Sequence, residues 1–100
     1  MTEKLYSVKD ELAGVCLPPV PQKNDDVAIR TFYQSMKQND SVADFNLYFV
    51  GTFDSEAGIL EPCIPPRIID TNEAKKKIMA GFAQNKPLFT KEDMNEEKSI

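Results

Sequence analysis

The chain predicts a small α+β domain: a mainly antiparallel sheet of three or four strands, one helix packed across a face, and a second, C-terminal helix. Three observations lead there. Asn46–Ile64 holds two β-rich runs separated by Asp54-Ser55-Glu56-Ala57-Gly58, the pattern of a hairpin whose loop needs one residue at positive φ. Ala28, Ile29, Phe32 and Met36 recur at helical spacing. One hundred residues, 41% of them apolar, support one modest core. The element order also fits a truncated ferredoxin-like arrangement, which is the second choice.

Leu5–Asp10 alternates as a short strand, and Glu11–Gly14 reads as a turn. Val15–Val20 can return as a short edge strand that Pro18 and Pro19, followed by Pro21, keep extended but poorly hydrogen-bonded. Asn24 is a good helix N-cap, and Asp25 and Asp26 sit where the helix dipole favours negative charge. That helix is expected over Asp25–Gln38, with Arg30, Gln34 and Lys37 toward water.

In the hairpin, Leu47, Phe49, Gly51 and Phe53 alternate with Tyr48, Val50 and Thr52, which predicts a central strand. Asp54 and Ser55 bond nearby backbone N–H groups to open the loop, and Gly58 takes the left-handed position. Pro62 lacks an N–H, so the second strand belongs at an edge or carries a bulge; Pro65 and Pro66 are expected to stop it. Arg67–Asp70 reads as a separate extended segment. A second helix is expected over Asn72–Ala83, capped by Thr71 or Asn72, with Ala74, Ile78 and Phe82 on one face. The resulting organisation is a folded domain over 1–70, a helix over 71–84 and a charged, flexible tail over 85–100, where Pro87, Leu88 and Phe89 offer a local docking point.

No run approaches the ~20 apolar residues of a membrane span, and Glu3, Lys4, Asp10 and Glu11 interrupt any signal-like N-terminus. The expected location is the cytoplasm of the producing cell. Cys16 and Cys63 lack metal-site spacing and the chain has no His, so neither a metal site nor an activated Cys nucleophile is expected. Two reduced, partly buried thiols are. Asp40, Asp44, Asp54, Glu56 and Glu61 are scattered, and only four glycines offer no phosphate-cradling loop. The chain reads as noncatalytic and without cofactor.

Charge is uneven. Residues 1–70 carry six Lys and Arg against eleven Asp and Glu, a net of −5; residues 71–89 carry a net of +3, and residues 90–100 a net of −2. Lysines bind phosphate and aromatics stack on bases, so Lys75, Lys76, Lys77 and Lys86, interleaved with Phe82 and Phe89, form the candidate nucleic-acid site. The competing reading is a solvated helix face with Glu73 and Lys77 as an i,i+4 pair. Tyr6, Tyr48, Phe49 and Phe53 could also stack bases on an open sheet, against the alternative of core packing.

The order of these segments carries a resemblance. Leu5-Tyr6-Ser7-Val8-Lys9-Asp10 precedes Asn24-Asp25-Asp26-Val27-Ala28-Ile29-Arg30-Thr31-Phe32; Asp44-Phe45-Asn46-Leu47-Tyr48 then leads into Val50-Gly51-Thr52-Phe53-Asp54. Over residues 4–70 the chain resembles the small nonstructural protein of gokushoviruses, single-stranded DNA phages of the microvirus family. The resemblance implies a protein made during infection of the host cell, outside the capsid, with a role in genome replication or packaging through viral or host protein partners or single-stranded DNA. It assigns no functional residue. The acidity of residues 1–70 suits a protein-binding adaptor better than a DNA-coating domain, and a homo-oligomer is compatible with it. The runner-up is a structural or inhibitory binder of a host protein.

Overall fold

A computed structural model describes residues 1–85. It holds five strands, β1 (Thr2–Asp10), β2 (Val15–Cys16), β3 (Val20–Gln22), β4 (Phe45–Asp54) and β5 (Ile59–Ile69), with α1 (Asp25–Met36) and α2 (Asn72–Asn85). The antiparallel sheet runs β2-β1-β4-β5, and β3 also pairs with β1 on the edge that β2 uses. The α+β class is therefore as expected. The expected Val15–Val20 strand is instead two short pieces, split around Leu17-Pro18-Pro19, because proline removes ladder donors there.

Both long turns use the same chemistry. Asp10 Oδ1 accepts from Leu12 N and Ala13 N, and Asp54 Oδ1 accepts from Glu56 N and Ala57 N. Each turn closes four residues on at a glycine in the left-handed region, Gly14 (φ 71°) and Gly58 (φ 70°). Replacing Gly58 with Val forces a β-branched residue into that region, so Gly58→Val is expected to cost about 1–3 kcal/mol, read as a lowered Tm.

Asn24 caps α1 by accepting from Val27 N at 2.9 Å. The helix ends at Met36, two residues before the expected Gln38; Asn39 N bonds the Met36 carbonyl and closes the turn. The core gathers Tyr6 from β1, Ala28, Phe32 and Met36 from α1, Val42 from the connection, Leu47 and Ile69 from the sheet, and Ala74 and Ile78 from α2. Thus α2 shares the core of the sheet and α1. Its end, Asn85, lies two residues past the expected one. The tail beyond it, with Pro87, Leu88 and Phe89, lies outside the described residues.

Two features of the hairpin depart from expectation. Val50 is an extra residue on β4: Tyr6 faces Phe49, but the preceding residue of β1, Leu5, faces Gly51. The bulge breaks strict alternation, so Phe53, opposite Glu3, lies on the other sheet face from Phe49. Across the same point, Phe49 faces Arg67 and Gly51 faces Pro62, so residues 63–66 make an excursion from the edge. Pro65 and Pro66 therefore do not stop the strand. They sit in the excursion, where no ladder donor is needed, and β5 resumes through Arg67 to Ile69, taking in the segment expected to stand apart. One of the two thiols also differs from expectation. Cys16 is exposed, because β2 is a two-residue edge, while Cys63 is half-buried with its Sγ donating to the Pro65 carbonyl at 3.4 Å.

Candidate nucleic-acid interface

Among the described residues, the three lysines predicted as part of a site have different surroundings. Lys75 turns to the sheet and donates to Asn46 Oδ1 at 2.7 Å. Asn46 Nδ2 in turn donates to Glu11 Oε2 at 3.0 Å, and Tyr48 Oη donates to the same oxygen at 2.6 Å. These hydrogen bonds hold the Glu11 carboxyl below its ordinary range and raise the Tyr48 hydroxyl. Lys75 is thus a strut between α2 and β4. Lys76 is exposed and pairs with Glu73 at 3.7 Å, so the i,i+4 pair expected between Glu73 and Lys77 gives way to an i,i+3 one. Phe82 packs half-buried against the core. Lys86 and Phe89 lie outside the described residues.

Lys77 finds different company. α1 and α2 lie side by side, and their shared surface holds two open recesses that meet at Tyr33 and Lys77. One, of about 260 Å³, is lined by Tyr33, Lys37, Gln38, Lys77, Ile78, Gly81 and Phe82. The other, of about 370 Å³, adds Asp26, Ile29, Arg30, Glu73 and Ala74. Helical geometry explains the alignment: Arg30, Tyr33 and the α1 C-cap Lys37 lie three and four residues apart, and Glu73, Lys77 and Gly81 lie four apart on α2. Gly81 leaves the floor open, since a Cβ there would meet no atom within 4 Å. Arg30, Lys37 and Lys77 are exposed, and Tyr33 is half-buried between them. The arrangement can neutralise phosphates along a groove and present an aromatic ring and edge to bases. Sequence reasoning placed Arg30 and Lys37 toward water; it had no signal that α2 would bring Lys77 beside them.

Of the aromatic residues on β1 and β4, Tyr6 and Phe49 pack into the fold, while Tyr48 and Phe53 lie half-buried on the other sheet face. Tyr6 is 1% exposed and meets Phe49 edge-to-face with centroids 5.5 Å apart. Arg67 lies over the Phe49 ring at 5.0 Å and grips Asp25 through both terminal guanidinium nitrogens, at 3.1 and 3.2 Å. Tyr6 Oη donates to Asp25 Oδ1 at 2.6 Å. This cluster fastens the start of α1 to β1, β4 and β5. Arg67 and Tyr6 hold the Asp25 carboxyl below its ordinary range, while burial and then the Asp25 hydrogen bond push the Tyr6 hydroxyl up to about 12.

The two shifts limit stability at opposite ends of the pH scale. A depressed carboxyl stabilises the fold above the unfolded Asp value of about 3.9 and loses that contribution as pH falls through the lower native value. A raised tyrosine stabilises below about 10, and its contribution falls away as pH climbs from there toward the native value. Asp25→Asn is expected to flatten the acid limb of a Tm-versus-pH profile, and Tyr6→Phe the alkaline limb.

No helix among the described residues is long and apolar enough to cross a membrane. No curated protein and no solved structure matches the chain. The family model described as Phage ORF5 protein matches residues 3–74, from β1 through the first turn of α2, and so takes in the sheet, all of α1 and the Tyr6–Asp25–Arg67 cluster. The chain belongs to this family of phage proteins.

Proposed function

We propose that this phage protein is a noncatalytic accessory factor that engages the single-stranded genome during replication or packaging, in the host cytoplasm, and that the α1–α2 groove is its DNA contact. The observation that carries the reading is the convergence of Arg30, Lys37 and Lys77 around Tyr33 on an otherwise acidic domain. Family membership supplies the phage setting, and the resemblance to gokushovirus nonstructural proteins narrows it to a single-stranded DNA genome. Local acidity shapes the expected mode: Asp26 and Glu73 flank Arg30 at one end of the groove, so the strand runs from Arg30 toward the Lys37–Phe82 end. Viral or host proteins of the replication or packaging complex join through other surfaces.

The noncatalytic part of the proposal is supported by how the carboxylates are used. Asp25 is bonded to Arg67, Glu11 to Tyr48 and Asn46, and Asp10 and Asp54 to their own turns. Each of these contacts serves the fold.

Titration of labelled single-stranded DNA at several salt concentrations tests the proposal. Each phosphate contact contributes about 0.7 to the salt slope on single strands, so Arg30→Gln with Lys37→Gln and Lys77→Gln should lower the slope by about two units. The helices should survive, since Gln is nearly as good a helix former as Lys or Arg. Lys76→Gln should leave the slope close to wild type. A wild type without affinity at low salt would overturn the DNA reading and leave a protein adaptor in its place.

A further inference from the structure

The outer strand, β5, is bonded to β4 on one side and to no strand among the described residues on the other. Ile59, Leu60, Ile64 and Ile68 along it are 54%, 63%, 83% and 56% exposed. Four large apolar side chains on one sheet edge are more than isolated surface residues require. The sequence of this edge, Leu60-Glu61-Pro62-Cys63-Ile64-Pro65-Pro66-Arg67-Ile68, has a symmetry of its own. Read from both ends toward Ile64, Leu60 matches Ile68, Glu61 meets the opposite charge of Arg67, and Pro62 matches Pro66.

We propose that β5 is the contact of a symmetric homodimer, in which two copies meet antiparallel about a two-fold axis at Ile64. A two-fold contact requires a self-complementary patch, and this strand supplies one in both shape class and charge. Leu60 of each copy lies opposite Ile68 of the other, and Glu61 opposite Arg67.

The faces agree with this register. Leu60 and Ile68 face Phe53 and Tyr48, which face Glu3 and Ser7 of β1; these two β1 residues share a sheet face. Glu61 and Arg67 face Thr52 and Phe49, which face Lys4 and Tyr6, on the helix-bearing side. Each matched pair therefore lies on one face of the continued sheet.

The backbone agrees as well. The Val8 carbonyl accepts from Leu17 N, so Val8 turns away from β4, and alternation leaves Ile68, opposite Tyr48, with its peptide groups on the open edge. Ser55 N bonds the Met1 carbonyl, and the same alternation turns the peptide groups of Leu60 outward. The prolines between them withhold donors, so Leu60 and Ile68 are the positions that can bond across. Arg67 keeps 51% of its side chain exposed while holding Asp25, which leaves guanidinium donors for a second carboxylate.

Sedimentation equilibrium over a concentration series gives the first readout, and a monomer–dimer equilibrium is expected. The register is read by disulfide trapping in chains whose Cys16 and Cys63 are replaced by Ser. Leu60→Cys and Ile68→Cys proteins, mixed and mildly oxidised, should give the mixed 60–68 disulfide well beyond its statistical share, and Ile64→Cys alone should link to itself. Glu61→Arg, at an exposed position that leaves the fold intact by circular dichroism, should raise the dimer dissociation constant several-fold by setting like charges opposite each other. A monomer at every concentration overturns the proposal. So does a statistical mixture of disulfides, or trapping through Val20 on the opposite edge in place of β5.

Discussion

Phe32→Ala is expected to lower the unfolding free energy by about 3–5 kcal/mol, a large share of the ~5–15 kcal/mol available to a domain. Phe32 is 1% exposed at the centre of the cluster that joins α1 to Tyr6, Leu47, Val42 and Ile78. Truncation removes the transfer free energy of the ring and leaves a cavity that helix and sheet cannot close without shifting as units. Urea unfolding should show the midpoint falling sharply. A midpoint within a few tenths molar of wild type would show that α1 buries a different face.

Gly51→Ala is the second large effect, and its cause is backbone approach. Gly51 has φ 155°, and a Cβ built there runs into the Glu61 carbonyl oxygen of β5 and comes within 3.0 Å of Pro62 Cα. Neither neighbour is the end of a flexible side chain. The register shift beside Val50 draws the two strands together at this point, so β5 must move away or the bulge must unwind. The backbone strain alone costs about 1–3 kcal/mol. Thermal denaturation should show a loss larger than that of Gly58→Val, whose site is open, because Gly51 adds a clash to the dihedral cost. Faster amide exchange confined to β4 and β5 should accompany it. An unchanged Tm would mean that the hairpin does not hold this bulged register.

The local features of the fold were legible because their signals are local. The α1 stripe follows the helical period, and Ala28, Phe32 and Met36 are indeed its buried residues. The Asp54–Gly58 turn was legible because a short carboxylate and a glycine four positions apart are what its backbone needs. Strand β5 was cut short because proline reads as a stop when pairing is assumed continuous; an edge excursion removes that assumption. The alternation of β4 failed at Val50 for a similar reason, since a bulge adds a residue without changing composition.

The Asp25–Arg67 grip spans 42 residues and has no local pattern. The one available hint was Tyr6, an amphipathic ring on an apolar strand whose hydroxyl needs a partner when buried. The candidate site was half legible. The lysine run at 75–77 marked α2 as the basic element, yet which lysine faces a groove depends on how α2 docks. Ala74 and Ile78 set that docking, sending Lys75 toward Asn46 and Lys77 toward Tyr33.

The most direct test of the central claim is a residue-resolved map of DNA contact: amide and side-chain NMR shifts of the isotope-labelled protein during titration with a short single-stranded oligonucleotide at low salt. The groove account predicts that the largest changes fall on Arg30, Tyr33, Lys37, Lys77 and Phe82, with Lys75 and the outer face of β5 nearly still. Shifts centred on the sheet, or an unaltered spectrum at saturating oligonucleotide, would contradict it.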